Sequence, residues 1–356
     1  MLISRICKRP TFIRRRLSLL ATMMLAPWLA TTPVARADLV ILQYHHVSDA
    51  TPAATSTTPA LFRDQLDLIE RLGLEVVPLD SGTRAALAGE LRDLQQVAVT
   101  FDDAYDSVWT EAVPLLTSRG LPFTIFVNTD AIGSRGYMTW QQLEQVRDMD
   151  GVLIANHSED HGHLARRPEE SGADWQARTD RSLDNAQQTL KKRLGLDEPL
   201  FAYPYGEYDE ALETKIAERG WYGFGQQSGP VGEHSGAPRL PRFPMATSFG
   251  QIDSLPDKLR SRALPVDASA LPAGIMTTNP PTLSLTLPDE LDPNRMTCFA
   301  SGQGMVALNI NGQAVDITPD RAFNSRRFRY NCTYPLGGGR FYWLSQQWLD
   351  QSQPED

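Results

Sequence analysis

The sequence predicts an α/β fold, a mainly parallel sheet wrapped by helices, with a small all-β region behind it. Three observations carry this expectation. From Asp38 to about Arg262, short β-type runs alternate with helical patterns, the alternation by which a parallel sheet is wound. Gly73, Gly120, Gly195 and Gly220 each stand just past a helical pattern, where a left-handed residue ends a helix. Over residues 264–281 the pattern gives way to Pro/Ala/Thr-rich sequence, and short alternating runs follow. A barrel and a doubly wound sheet both satisfy the first two observations.

Taken in order, residues 1–37 read as a secretory signal. Arg14 to Arg16 precede the apolar run Leu17 to Ala30, and Ala35-Arg36-Ala37 supplies small residues before a cut at Asp38. The run is short for a bilayer and is broken by Pro27 and Pro33, so no stable membrane span is expected after removal. The Arg triplet also admits a twin-arginine route, and the exported protein is expected in the periplasm or outside the cell. The segment carries seven basic residues and no acidic one; without it 27 basic residues face 43 acidic ones, a net charge of −16. Such a surface repels phosphate backbones, which excludes nucleic acid as a partner.

A catalytic α/β domain is expected over 38–263, a linker over 264–281 and a β-rich domain, a small sandwich, over 282–356. Strands are predicted at Leu39–Tyr44, Val97–Phe101, Phe123–Val127, Val152–Ala155 and Leu200–Tyr203 from their apolar, β-branched and aromatic content. Helices are predicted at Pro59–Leu72, Ser107–Arg119, Trp140–Met149, Asp174–Leu194 and Glu207–Arg219. In the tail, Thr282–Leu287, Met305–Ile310 and Arg327–Tyr330 alternate, with Asn311-Gly312 as a hairpin turn. After loss of Cys7 the exported chain keeps Cys298 and Cys332, an even pair expected to form a disulfide in an oxidising compartment.

Three polar clusters fall at the ends of predicted strands, where α/β sheets carry their chemistry. In Thr100-Phe101-Asp102-Asp103, adjacent carboxylates of an extended segment point apart, so one can ligate a metal while the other accepts a proton. Alone, such a pair is more often a helix cap or turn. In His157-Ser158-Glu159-Asp160-His161, histidines four apart converge if the loop is tightly turned, and imidazole suits Zn²⁺ and similar ions. A polar surface loop is the plain alternative. In Tyr203-Pro204-Tyr205-Gly206, a sharp turn can aim a backbone N–H at a developing oxyanion, although an ordinary tight turn has the same sequence.

Together and in this order, the clusters resemble the polysaccharide deacetylases of carbohydrate esterase family 4, whose pattern is T-F-D-D, H-[S/T]-x-x-H and a P-Y-G turn on a distorted (β/α) barrel. The match covers about residues 38–262. The resemblance implies Asp102 as general base and Asp103, His157 and His161 as ligands of a divalent metal, zinc first among them. It implies Ser158 as the residue that supports the loop, and the Tyr205 N–H as an oxyanion donor. The late Leu-His-Asp that supplies the family's acid is missing near Arg262. Instead Gln43-Tyr44-His45-His46-Val47 resembles the N-terminal Tyr-His segment of the extracellular poly-β-1,6-N-acetylglucosamine deacetylases, which implies His45 as the acid, across the substrate from Asp102. The Arg that usually precedes the P-Y-G turn is also absent, since Leu200, Phe201 and Ala202 hold that stretch; Arg242 is the candidate replacement. The implied activity is metal-dependent removal of N-acetyl groups from N-acetylglucosamine units of a glycan. An O-acetyl esterase and a catalytically inactive glycan-binding protein remain as alternatives.

Overall fold

The structure, a computed structural model, describes residues 37–91 and 95–355. All but the last residue of the expected signal, and Cys7 with it, lie outside the described residues.

Seven parallel strands build the frame: β1 Leu39–Tyr44, β2 Gln96–Asp102, β3 Phe123–Val127, β4 Val152–Asn156, β5 Leu200–Ala202, β6 Tyr222–Phe224 and β7 Phe243–Pro244. Their order is β7-β1-β2-β3-β4-β5-β6, and the short segment Glu75–Val76 pairs with the start of β2 to make an eight-stranded sheet. Leu240, just before β7, pairs in parallel with Phe224 of β6, so the two edges meet and the sheet curls into a distorted barrel. Both faces are covered. Leu39 and Ile41 of β1 point into one buried cluster, with Phe126, Leu200 and Phe224, while Val40 and Leu42 point into another under the helices. Strands buried on both sides read as the unbroken apolar runs seen in the sequence.

The helices start and stop for local reasons. The Thr58 side chain caps Pro59–Arg71, and Thr139 with Gln142 forms a capping box on Trp140–Arg147. The helix expected from Glu207 begins only at Glu210, because Asp209 accepts the Leu212 N–H (2.8 Å) as its cap and Glu207 stays extended. The expected helix Ser107–Arg119 opens as a wide π-turn over Val108–Ala112 before Val113–Ser118. Pro114 has no N–H to continue a regular ladder there. All four helix-ending glycines have positive φ.

Beyond the barrel come β8 Leu283–Thr286, β9 Thr297–Ala300, β10 Gly304–Val306, β11 Leu308–Asn311, β12 Ala314–Ile317, β13 Arg327–Gly337 and β14 Arg340–Leu349. They form a three-stranded sheet, β8-β12-β11, and a larger sheet β14-β13-β9-β10 that Arg262–Ala263 extends in parallel beside β14. The two sheets share one hydrophobic core, which also takes in Leu264 and Val266. The β11–β12 hairpin turns at Gly312-Gln313, with Gly312 at φ 61°. Cys298 and Cys332 stand opposite each other across β9 and β13 and form a disulfide. The segment over 264–281 is tied to this region, its Met276 N–H bonding the Leu349 carbonyl (2.9 Å).

Candidate active site

The C-terminal ends of β1, β2, β4, β5 and β7 converge on one groove of about 420 Å³. Among the described residues, five non-glycine residues have a left-handed backbone: Asp103 (φ 74°), Ala104 (φ 55°), Ser158 (φ 69°), His161 (φ 53°) and Tyr205 (φ 56°). All lie in or directly beside the three sequence clusters. Each such residue costs roughly 1–3 kcal/mol and persists only where the surroundings hold it, a distribution typical of functional sites.

Local bonds hold these turns. The Asn156 carboxamide accepts the Ser158 N–H (2.7 Å), and the Ser158 hydroxyl accepts the His161 N–H (3.0 Å), which bends the loop so that both imidazoles return to Asp103. His157 follows the single β4–β5 pair, Asn156 opposite Phe201, and its Nδ1–H donates to the Ala202 carbonyl (2.7 Å). That bond fixes the tautomer and leaves the Nε2 lone pair free to ligate. Burial pushes the His157 pKa down to about 3 and lowers that of His161, so both rings are neutral. Asp103 Oδ1 lies 3.5 Å from His157 Nε2 and 3.3 Å from His161 Nε2. Asp103 Oδ1 and His157 Nε2 are buried without a hydrogen-bond partner. Unbonded buried lone pairs facing one point are what a cation would satisfy, and the three residues fit one.

Asp102 is fully buried beside this set. Arg242, also fully buried, grips it in a two-point pair, Nη1 to Oδ1 (2.7 Å) and Nη2 to Oδ2 (2.8 Å), and Gln43 Nε2 donates to Oδ2 (2.7 Å). Burial alone would raise the Asp102 pKa, but the Arg242 charge and bonds outweigh it and hold the carboxylate well below its usual range. The structure thus brings together Asp102, Asp103, His157, His161, His45 and Arg242. His45 sits differently from expectation: its Nε2 is 3.9 Å from Asp102 Oδ2, on the same wall and not across the groove. His46 turns aside and stacks on Tyr105 (3.6 Å between ring centres). The Tyr205 ring stacks on His163 (4.0 Å) and meets His161 edge-on.

Four supporting residues escaped the sequence reading: Gln43, Asn156, Glu207, and Tyr105, whose hydroxyl bonds the Asp103 carboxylate. Glu207 follows the P-Y-G turn, is fully buried, and is held by His163 (2.9 Å) and by Arg326 and Arg327 of the β region (2.8 and 2.7 Å). Burial pushes its pKa up, and these three partners outweigh that and bring it to about 2. Gln347 of β14 donates to the Gly206 carbonyl. The β region therefore braces the turn that carries Tyr205.

The buried Asp102–Arg242 pair yields a direct expectation. Replacing Arg242 by Met leaves an uncompensated buried carboxylate and should cost ~3–5 kcal/mol of stability at neutral pH. In the native chain the Asp102 pKa is depressed, so its contribution is present above the unfolded value of about 4 and lost as pH falls through the folded one. In Arg242→Met the carboxylate is penalised until protonated, so the gap to wild type should narrow as pH falls from 7 to 4. Denaturant midpoints of the two chains across that range check this; a gap independent of pH would contradict it.

Residues 92–223 match the family model for polysaccharide deacetylase. A putative polysaccharide deacetylase of Bacillus subtilis (strain 168) is 26% identical over 205 residues, 57% of this chain and 68% of the relative. The poly-beta-1,6-N-acetyl-D-glucosamine N-deacetylases of Staphylococcus epidermidis and Escherichia coli K12 are 24% identical over 156 residues and 22% identical over 287. These matches cover 42% and 67% of this chain, which spans only 54% and 42% of those two relatives. Among solved structures, IcaB from Ammonifex degensii shares the fold at a TM-score of 0.53 and 24% identity, over 64% of this chain and 98% of that one. The Streptococcus pyogenes deacetylase PplD in complex with acetate also gives 0.53 and 24%, over 60% and 94%.

Proposed function

We propose that this chain is an exported, zinc-dependent N-deacetylase that removes acetyl groups from N-acetylglucosamine units of a polysaccharide or oligosaccharide. The observation that carries the reading is the pair of buried, unbonded lone-pair atoms, Asp103 Oδ1 and His157 Nε2, beside an ionised Asp102 at a groove that Asp103 and His161 line. The separations of 3.3 and 3.5 Å support zinc. Two ligands ~2.0–2.1 Å from a tetrahedral zinc stand ~3.3 Å apart. Export is supported by the reading of residues 1–37 and by the disulfide. Among the described residues no helix is long and apolar enough to cross a membrane.

A bound divalent ion would polarise the acetamide carbonyl and make water a better nucleophile near neutral pH. Asp102, ionised and oriented by Arg242 and Gln43, takes the proton of the water that attacks the carbonyl carbon. The Tyr205 N–H, aimed by its left-handed turn, donates to the oxygen that becomes negative. His45 gives a proton to the nitrogen as the C–N bond breaks, releasing acetate and a glycan amine. Its 3.9 Å spacing from Asp102 lets a proton taken by the base reach the acid without crossing the groove.

Acetate release from matched substrates tests the reading. N-acetylglucosamine oligomers of β-1,6 and β-1,4 linkage are compared with a glycan acetylated only on oxygen, with and without chelator. The expected result is chelator-sensitive acetate from an N-acetyl oligomer. Release from the O-acetyl glycan alone would make the chain an esterase, and release from none would leave a binding protein.

A further inference from the structure

We propose that the groove selects an acidic glycan, with Arg329 holding a carboxylate carried by a sugar unit next to the N-acetylhexosamine that is cleaved. This rests on the deacetylase reading above and adds a substrate class to it. The whole chain is acidic, yet the groove is not. Of the residues lining it, Asp103 is the only carboxylate, and that charge is committed to the metal set. Arg327 and Arg329, two residues apart on one face of β13, supply the opposite sign. Arg327 is answered by Glu207 and lies over the Tyr205 ring (5.2 Å). No carboxylate pairs with Arg329 among the described residues, although the side chain is half-buried and burial pushes its pKa down to about 10. Gln347, directly opposite Arg329 on β14, bonds the Gly206 carbonyl, so this face of the sheet adjoins the P-Y-G turn.

A desolvated guanidinium without a counter-ion is costly, and its planar fork matches a carboxylate in a two-point pair. On another part of the wall Phe249, 53% exposed, offers an apolar face to a neutral sugar ring. A glycan that alternates an N-acetylhexosamine with a carboxylate-bearing unit meets both. The carboxylate has two chemical sources, a uronate or the lactyl ether of a muramic acid. Both are distinct from the uncharged poly-N-acetylhexosamine named for the relatives.

The test compares kcat/KM for acetate release from four oligosaccharides of equal length: N-acetylglucosamine alternating with glucuronate, the same oligomer with its carboxylates reduced to alcohols, N-acetylglucosamine alternating with N-acetylmuramic acid, and a neutral N-acetylglucosamine oligomer. Direct binding of the first two is measured in parallel by calorimetry, for the wild type, Arg329→Met and Arg329→Lys. At least one acidic oligomer should exceed its neutral counterpart by about tenfold, and which one does so identifies the source of the carboxylate. That ratio should collapse about tenfold in Arg329→Met, recover partly in Arg329→Lys, and shrink with added salt, as expected for a charge-assisted pair. Equal binding and turnover of the acidic and neutral oligomers by the wild type, or a preference untouched in Arg329→Met, would overturn the proposal. Absence of acetate from all four would defeat the deacetylase reading, and the binding comparison would still decide the carboxylate site.

Discussion

Asp103→Ala, His157→Ala and His161→Ala should each strip the chain of bound metal and lower acetate release roughly 10³-fold or more, from the several kcal/mol of charge stabilisation a Lewis acid supplies. Three protein ligands leave no spare, and each is held in a way that no neighbour can replace. The Asp103 oxygen is positioned by a left-handed residue at the end of β2, His157 by its bond to Ala202, and His161 by the Ser158 hydroxyl. Ser158→Ala should therefore be milder, weakening metal affinity ~10–100-fold, because it loosens His161 without removing it. Metal content measured on purified variants checks this independently of activity. Full occupancy in all three alanine variants would contradict the assignment.

The second large effect is expected at His45. His45→Ala should keep metal and fold but lose roughly 10²–10⁴ in kcat on an unactivated N-acetyl glycan, the usual contribution of a positioned acid. The loss should shrink on an anilide-type acetamide whose leaving group needs no protonation. His45 is partly exposed at the mouth of the groove, so its removal opens no cavity in the core. His46→Ala should act differently, through lost packing on Tyr105 and through it on Asp103. Near-wild-type turnover of His45→Ala on the unactivated substrate would move the acid's role to another group.

Much of the frame was legible because strands buried on both faces write themselves as apolar runs. β1 and β3 match the expected Leu39–Tyr44 and Phe123–Val127, and the helix-ending glycines have the predicted backbone. The long hairpin of β13 and β14 was less visible. β13 buries Phe328, Tyr330, Cys332 and Tyr334 at every second position, and the run expected at Arg327–Tyr330 covers only the first part of that alternation. In β14, Gln346 and Gln347 are buried because they donate to the backbone carbonyls of Pro272 and Gly206, so polar residues sit where apolar ones are expected. The clusters could be found as polar stretches at strand ends. Their left-handed turns could not, since Asp103, His161 and Tyr205 have no local preference strong enough to announce them. The Asp102–Arg242 pair spans 140 residues and Glu207–Arg327 spans 120, and only the fold brings such partners together.

Asp102, Asp103, His157 and His161 are assigned to one metal-dependent centre for cleaving an acetamide. The most direct measurement is a zinc titration of the chelator-stripped chain, following acetate release from an N-acetylglucosamine oligomer. Activity should be absent without metal, rise linearly with added zinc and level off at one equivalent per chain. Acetate release that persists in the stripped chain, or one bound equivalent that restores none, would contradict the account.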